Sequence, residues 1–444
     1  MNKKNRFKMV KIFVSIVSFM VIVGIILGIF NGSIESKQSR PSDSYRLSLV
    51  QIVFRHGDRT PLRLYVNDPY KRSDFIEGLG ELTNRGKLRM FRIGSKLRHY
   101  YSSYLENVSN KNIYARSSPR RRCLESCSMV LAGLFPPRPD EIWNQDPNGE
   151  EDGKQLAKLW QPISINTVEA SRDRLLYPEA ECSEAIRYEQ IINDSPSVKP
   201  FLEANKQFID DLIHYTGTNF TIWLEIGYLY STLTVEQEYF GDRFQKPSWI
   251  DKMGNDTMER LRKFHDLEFS VFSKSKAYVR LRAGSILKQI QENIDAKIQK
   301  DLTQKDNNSK DRKGFRQNHL HLYSTHDTML GYVVSAFGGR SMQPTYGSGL
   351  SIELWTNKHD PTSKPYIRLM YLDGISPGME IEPLEMISEP TIQSENCNRS
   401  NCNSEYFDYD CLKAFLNDYL PRNIDQECTL SVKSSAITEY KTTL

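Results

Sequence analysis

Residues 45–54, YRLSLVQIVF, form a short apolar run, β-branched at Val50, Ile52 and Val53, that stops abruptly at RHGDRTPL. A run this short and this branched reads as a buried strand. Its ending is the strongest constraint in the chain, because Arg55 and Arg59 crowd one imidazole, His56, where an ordinary turn would serve. Two further predicted strands end in polar groups. NIYARSS (112–118) carries Arg116, and HLHLYSTHD (319–327) alternates before reaching His326 and Asp327. GLSIELW (349–355) and YIRLMYL (366–372) read as two more strands.

Helical signals fill the intervals. Thr83 is a plausible cap for an amphipathic helix with apolar residues at 90, 93, 97, 101 and 104. Its basic face (Lys87, Arg89, Arg92, Lys96) is expected to be solvated. Residues from about 120 to 300 lean helical, and 301–318 read as a charged surface loop. In open α/β sheets, ligands bind beyond the carboxyl ends of the strands. If the three polar-ended strands are neighbours, three arginines, two histidines and one carboxylate meet at one spot, and an anion is expected among them. The guanidinium fork matches phosphate oxygens. A neutral imidazole can attack phosphorus, and Asp327 is the one acid of the set that could protonate a leaving alkoxide. A donor aspartate must be protonated, so acid pH is expected to favour the reaction. No P-loop, Ser/Cys nucleophile motif or acidic metal cage is evident.

Charge narrows the partners. The chain of 444 residues has a net charge of +4, but residues 1–44 hold seven Lys/Arg against two Asp/Glu. The remaining 400 residues carry 52 basic and 53 acidic side chains, so no basic field supports nucleic-acid binding. MNKKNRFKMVK has five cations and precedes 19 uncharged, mostly apolar residues (12–30), long enough to span a bilayer. The expectation is a type II signal anchor with the body outside the cytosol, or a secreted body if the segment is cleaved. N-x-S/T sequons at Asn31, Asn107, Asn193, Asn219, Asn255, Asn307 and Asn398, and seven cysteines, suit that compartment. Cys123 and Cys127, one helical turn apart, read as buried thiols.

Together these stretches resemble a known family. VFRHGDRTPL resembles the R-H-G-x-R-x-P signature of the histidine acid phosphatases, within the histidine phosphatase superfamily, and STHDTML resembles their H-D motif. YARSSPRRRCLESCSMVLAGLFPP is similar to their second arginine region. ELTNRG, WQPISINTV, LLYPEAEC, KPSW and DTMERL are similar to animal members, in order, and the similarity spans about residues 46–430. The resemblance implies an α/β core with a mainly parallel sheet flanked by helices and an inserted, mainly helical cap. With the N-terminal reading above, the layout is a cytoplasmic tail at 1–11, an anchor at 12–30, a polar stalk at 31–44, and, as the resemblance implies, core at 45–135 and 280–430 with a cap at 136–279, then a C-terminal tail at 431–444. It implies His56 as phosphorylated nucleophile, Asp327 as proton donor, and Arg55, Arg59, Arg116 and His326 as phosphate contacts. It further implies no metal or cofactor, small phosphomonoesters as substrates and a homodimer. Cys182–Cys428 resembles a family disulfide, and a second would join two of Cys397, Cys402 and Cys411.

Departures from the family pattern are informative. Prostatic-type members carry two acids where Pro119, Arg120 and Arg121 stand here, which makes the rim more basic; that arginine run is expected to be solvated, with Arg122 as the member able to face inward. One family cysteine pair is absent, with Gly349 at one of its positions. The remaining histidines (His99, His214, His265, His319, His321, His359) are expected to be structural or exposed. CLESCSMVLAGLF also resembles lysophosphatidic acid phosphatases, so lipid and inositol phosphates stand as alternative substrates. From another class, a catalytically silent surface protein that binds phosphorylated ligands is the rival.

Overall fold

The structure, a computed structural model, describes residues 43–145, 151–306, 319–376, 378–384 and 405–429. The predicted anchor, most of the stalk, the C-terminal tail, the sequons at Asn31, Asn307 and Asn398, and Cys397 and Cys402 lie outside them. Among the described residues no helix is long and apolar enough to cross a membrane.

The first apolar run is strand β1 (Tyr45–Arg55). The other strands are β2 (Ile113–Ser117), β3 (Ile165–Asn166), β4 (Leu320–Thr325), β5 (Gly349–Asn357), β6 (Tyr366–Leu372), β7 (Ile381–Pro383) and β8 (Phe407–Asp408). They form one sheet in the order β3–β2–β4–β1–β5–β6–β7, with β8 paired to β6. β4 runs parallel to both β1 and β2, and β2 runs parallel to β3. β5, β6 and β7 extend the sheet in antiparallel steps. The three strands with polar ends are therefore adjacent and point the same way.

Helices cover both faces. Helices α1 (Asn84–Tyr100) and α2 (Arg121–Leu134) pack on one side against Val50, Ile52 and Phe54. Leu49 and Val53, one residue out of phase, face the other side, where α5 (Lys276–Asp306) and α6 (Asp327–Ala336) lie. The strand alternation thus feeds two cores at once, and β1 is apolar from Leu49 to Phe54 because neither face meets water there. Buried Gln51 is the exception, and it is satisfied: its Nε2 donates to Ile290 O at 2.9 Å and its Oε1 accepts from Asn293 at 2.7 Å. Between α2 and α5 the chain is mainly helical and includes α3 (Leu224–Phe240) and α4 (Thr257–Phe272). Cys182 and Cys428 are disulfide-bonded across 246 residues of sequence. Cys411 is also disulfide-bonded, whereas Cys123 and Cys127 are buried free thiols, as their spacing suggested.

Candidate active site

The register aligns the three strand ends. Arg55 pairs with Thr325, and Ser324 sits between Phe54 and Ser117, so the groups that follow each strand emerge side by side. The loop after β1 is tied down locally. Thr83 caps α1 by accepting from Gly86 N at 3.0 Å, and its hydroxyl donates to Asp58 O at 3.2 Å. A Cβ on Gly86 would lie 2.2 Å from Asp58 O, and one on Gly57 would lie 2.8 Å from Gly86 O, so both glycines are needed for this contact. The Asp58 carboxylate accepts from Arg89 at 2.5 and 3.0 Å. Arg89 also donates to Gly374 O at 2.6 Å and is mostly buried, so the basic face of α1 is not uniformly solvated. Helical periodicity cannot see a loop that folds back on the helix.

His56 is buried and lines a cavity of about 510 Å³. Its Nδ1 lies 2.8 Å from Gly57 O; a carbonyl only accepts, so Nδ1 carries the proton and Nε2 keeps its lone pair. Burial, then Arg122, Arg55, His326 and Arg59, hold this imidazole well below its usual pKa. The T-shaped partner ring of His326 lies 5.7 Å away. Arg122 Nη2 contacts His326 Nδ1 at 3.3 Å, and a guanidinium only donates, so the His326 proton sits on Nε2, which donates to Ser118 Oγ at 2.8 Å. Burial first, and Arg122 next, keep His326 neutral as well.

Asp327 is the first residue of α6, with His326 at its N-cap. Its Oδ1 accepts from Thr328 N at 2.9 Å, as a helix-start carboxylate does. Its Oδ2 is taken by Arg55 Nη2 at 2.8 Å and by Gln343 Nε2 at 3.0 Å. Burial alone would raise this carboxyl, but Arg55, His56, Arg59 and His326 pull it far below the usual carboxylate range. Arg55 is further fixed by Pro344 O at 2.6 Å and by the Tyr346 ring, 4.1 Å from its Cζ, and its Nε is buried without a partner. Arg59 donates to Thr60 O at 3.1 Å and to Ser231 Oγ at 3.3 Å.

Arg116 is buried and donates to Asp173 Oδ1 at 2.7 Å; neither it nor Arg55 is among the residues lining the cavity, but Arg55 pairs with Asp327, which is. Arg122 lines the cavity instead, together with Arg120 and Arg121. Arg121 is solvated as expected, but Arg120 packs over the Tyr177 ring at 4.8 Å and donates to its hydroxyl. His265, expected to be structural or exposed, is buried in the cavity wall. Gln343, Tyr346, Tyr228 and Glu268 also surround the cavity or its arginines without any sequence signal. Among the described residues no cluster of three or more His, Cys, Asp or Glu could hold a metal. A larger hollow of about 820 Å³, lined by Arg46, Tyr104, Lys297 and Trp355, lies where the strands begin and contains none of these groups.

Comparison with known proteins agrees with this arrangement. The chain is 29% identical to rat prostatic acid phosphatase over 380 residues, which is 80% of this chain and 89% of that one. It is 32% identical to human lysosomal acid phosphatase over 263 residues, 57% of each chain. The fold is similar to that of Hafnia alvei phytase in complex with tartrate, with a TM-score of 0.58 at 14% identity, covering 88% of this chain and 100% of the other. The model for the histidine phosphatase superfamily (branch 2) matches residues 46–372. With that match spanning most of the chain and every strand that feeds the cavity, the protein belongs to the histidine phosphatase superfamily, branch 2, and is a phosphoric monoester hydrolase.

Proposed function

We propose that the chain hydrolyses phosphomonoesters through a covalent phosphohistidine at His56. The observation that carries this reading is the state of that ring: neutral, oriented by Gly57 O, with the Nε2 lone pair available in a cavity walled by arginines. In the first half-reaction an Nε2–P bond forms as the P–O ester bond breaks, and Asp327 protonates the departing oxygen. Arg55, Arg59 and Arg122 match charge on the transferring phosphoryl oxygens, a role that needs no metal. In the second, water attacks phosphorus, Asp327 takes its proton, and the Nε2–P bond breaks to release phosphate. Ligand-free Asp327 is a carboxylate; a bound phosphate would neutralise Arg55 and add negative charge beside Asp327, and both raise its proton affinity. At acid pH the ester arrives as a monoanion, since its second pKa is about 6, and so brings the proton with it.

The phosphate contact that the resemblance implies for Arg116 requires its guanidinium to share or leave Asp173; in its present position it supports the seat from behind. His326 contributes through Arg122 and Ser118. Helices within 136–279, which bring Tyr228, His265 and Glu268 to the cavity, serve as the cap. The body works outside the cytosol, held by residues 12–30 or secreted; the Cys182–Cys428 bridge and the exposed sequon residues Asn107, Asn219 and Asn255 support this. Exposed Trp143, Leu159 and Trp160 support the implied homodimer as a surface that a second copy would cover. Leu62 and Leu79 at the cavity mouth favour lipid phosphates as the second reading of substrate. Rapid quenching with a radiolabelled aryl phosphate at pH 5 tests the core of the proposal. An acid-labile phosphoryl group on His56, lost together with turnover in His56→Ala, is expected; near-normal turnover in that variant refutes it.

A further inference from the structure

Four acids line the cavity: Glu81, Glu179, Glu268 and Asp327. Three are engaged. Asp327 is held by Arg55 and Gln343, Glu179 accepts from Tyr177 OH at 2.6 Å, and Glu81 faces Arg121 at 3.8 Å. Among the described residues, no group hydrogen-bonds or ion-pairs with the carboxyl of Glu268. It sits half-buried on α4 between His265 and Phe269, one helical turn from the first and adjacent to the second, and these three present one helix face to the cavity. A carboxyl that faces a cavity with no protein partner is free to bond a ligand there, and acids with shifted titration in clefts concentrate at functional sites.

The structure assigns to Glu268 a leaving-group subsite, which selects phosphomonoesters whose alcohol carries a hydroxyl or ammonium group next to the ester carbon. This rests on the phosphohistidine reading above, because that reading fixes which way the substrate points. The phosphoryl group lies at His56 and the ester oxygen at Asp327, so the first carbons of the alcohol pass beyond Asp327. Glu268 lines the same cavity as Asp327, close enough to feel its charge. Tyr228, which senses Glu268, Glu179 and Asp327 together, closes the same wall from α3.

The protonation state suits the task. Burial, then Asp327, Glu179 and Glu189, push the Glu268 carboxyl up to about 8, so in acid it presents one O–H donor and one carbonyl acceptor. A vicinal hydroxyl satisfies both. An ammonium group satisfies the carboxyl by favouring its ionised form, whose proton passes to solvent, and pairing with the anion. A plain alkyl or aryl alcohol leaves it unpaired, and sites built around a hydrogen bond reject ligands lacking that bond far more strongly than apolar pockets reject extra methylenes. Further out, Leu62, Leu79 and Phe269 offer apolar surface, so an acyl or alkyl tail beyond the polar group is compatible.

The test compares kcat/KM for 2-hydroxyethyl, 2-aminoethyl and propyl phosphate, three esters of similar size, on the wild-type protein, Glu268→Gln and Glu268→Leu. Wild type should favour one or both polar esters over propyl phosphate by about 10-fold or more. Glu268→Leu should lower the polar esters at least about 10-fold more than propyl phosphate, and Glu268→Gln should spare the hydroxyl ester relative to the ammonium ester. A wild-type ratio near one, or equal losses on all three esters in a leucine variant that melts like wild type, overturns the subsite. Turnover of none of the three esters by wild type overturns instead the phosphatase reading beneath it.

Discussion

Arg55 grips Asp327, with Nη2 2.8 Å from Oδ2. The group proposed as the proton donor is thus stored as its conjugate base, and on that proposal arrival of a phosphate is the event that loads it. Asp327→Asn keeps an oxygen for Arg55 but has no acidic proton. It should slow single-turnover phosphoryl transfer from alkyl esters by roughly 10²–10⁴-fold and from p-nitrophenyl phosphate far less, because only the alkoxide needs the proton. Equal losses on both esters would take Asp327 out of the proton path.

On the proposed mechanism, the depressed pKa of His56 sets the acid limb of catalysis. Because the shift is downward, the neutral nucleophile persists as pH falls through the ordinary histidine value of about 6.5. Phosphoenzyme formation should therefore not fall between pH 7 and pH 5 in rapid-quench experiments. A decline centred near 6.5 would show an ordinary, solvated imidazole. Arg122 is the leading charge in that shift after burial itself, so Arg122→Ala should move the acid limb to higher pH.

Arg122 and Arg116 separate binding from folding. Arg122 lines the cavity, so Arg122→Ala should weaken competitive inhibition by inorganic phosphate by about 10–100-fold, the worth of a charge-assisted hydrogen bond. Arg116 is paired with Asp173, whose side chain is fully buried. Removing one partner of such a pair costs about 3–5 kcal/mol, so Arg116→Ala should depress the melting temperature far more than Arg122→Ala does. Thermal unfolding and inhibition constants on the two variants check both halves; a larger inhibition defect in Arg116→Ala would place its guanidinium on the phosphate.

These arginines also mark how far the sequence could be read. Arg55, His56, Arg59, His326 and Asp327 were legible because each lies at a strand end or within four residues of one, and strand adjacency brings sequence-local groups together. Arg116 also sits at a strand end, but its direction depends on Asp173, a residue from a loop 57 positions away with no pattern of its own. Glu268, Tyr228 and Gln343 reach the cavity from two helices and a connecting loop, and their role depends on how those elements pack rather than on any periodicity. The long helical stretch was legible as helix, whereas the two-residue strand β3 within it was not, since it exists only by pairing with β2.

A carboxyl pair away from the chemistry predicts how stability varies with pH. Glu236 on α3 has 0% exposure, and both its carboxyl oxygens, like Asp68 Oδ2, are buried without a hydrogen-bond partner. Two carboxylates cannot bond each other unless one keeps a proton. Burial, then Asp68, pushes Glu236 up to about 9, and burial raises Asp68 too. An unfolded glutamate titrates near 4.3, so the native state holds a proton that the unfolded chain has released at neutral pH. Stability linked to this proton is fully present below about pH 4 and declines as pH rises towards 9. Glu236→Gln makes the neutral form permanent. It should raise the melting temperature at pH 8 by roughly 3 °C or more while changing it little at pH 4, so that the gap between the two pH values narrows. Differential scanning calorimetry of both proteins at the two pH values decides the matter, and an unchanged gap would mean that the pair is ionised or solvated in the folded protein.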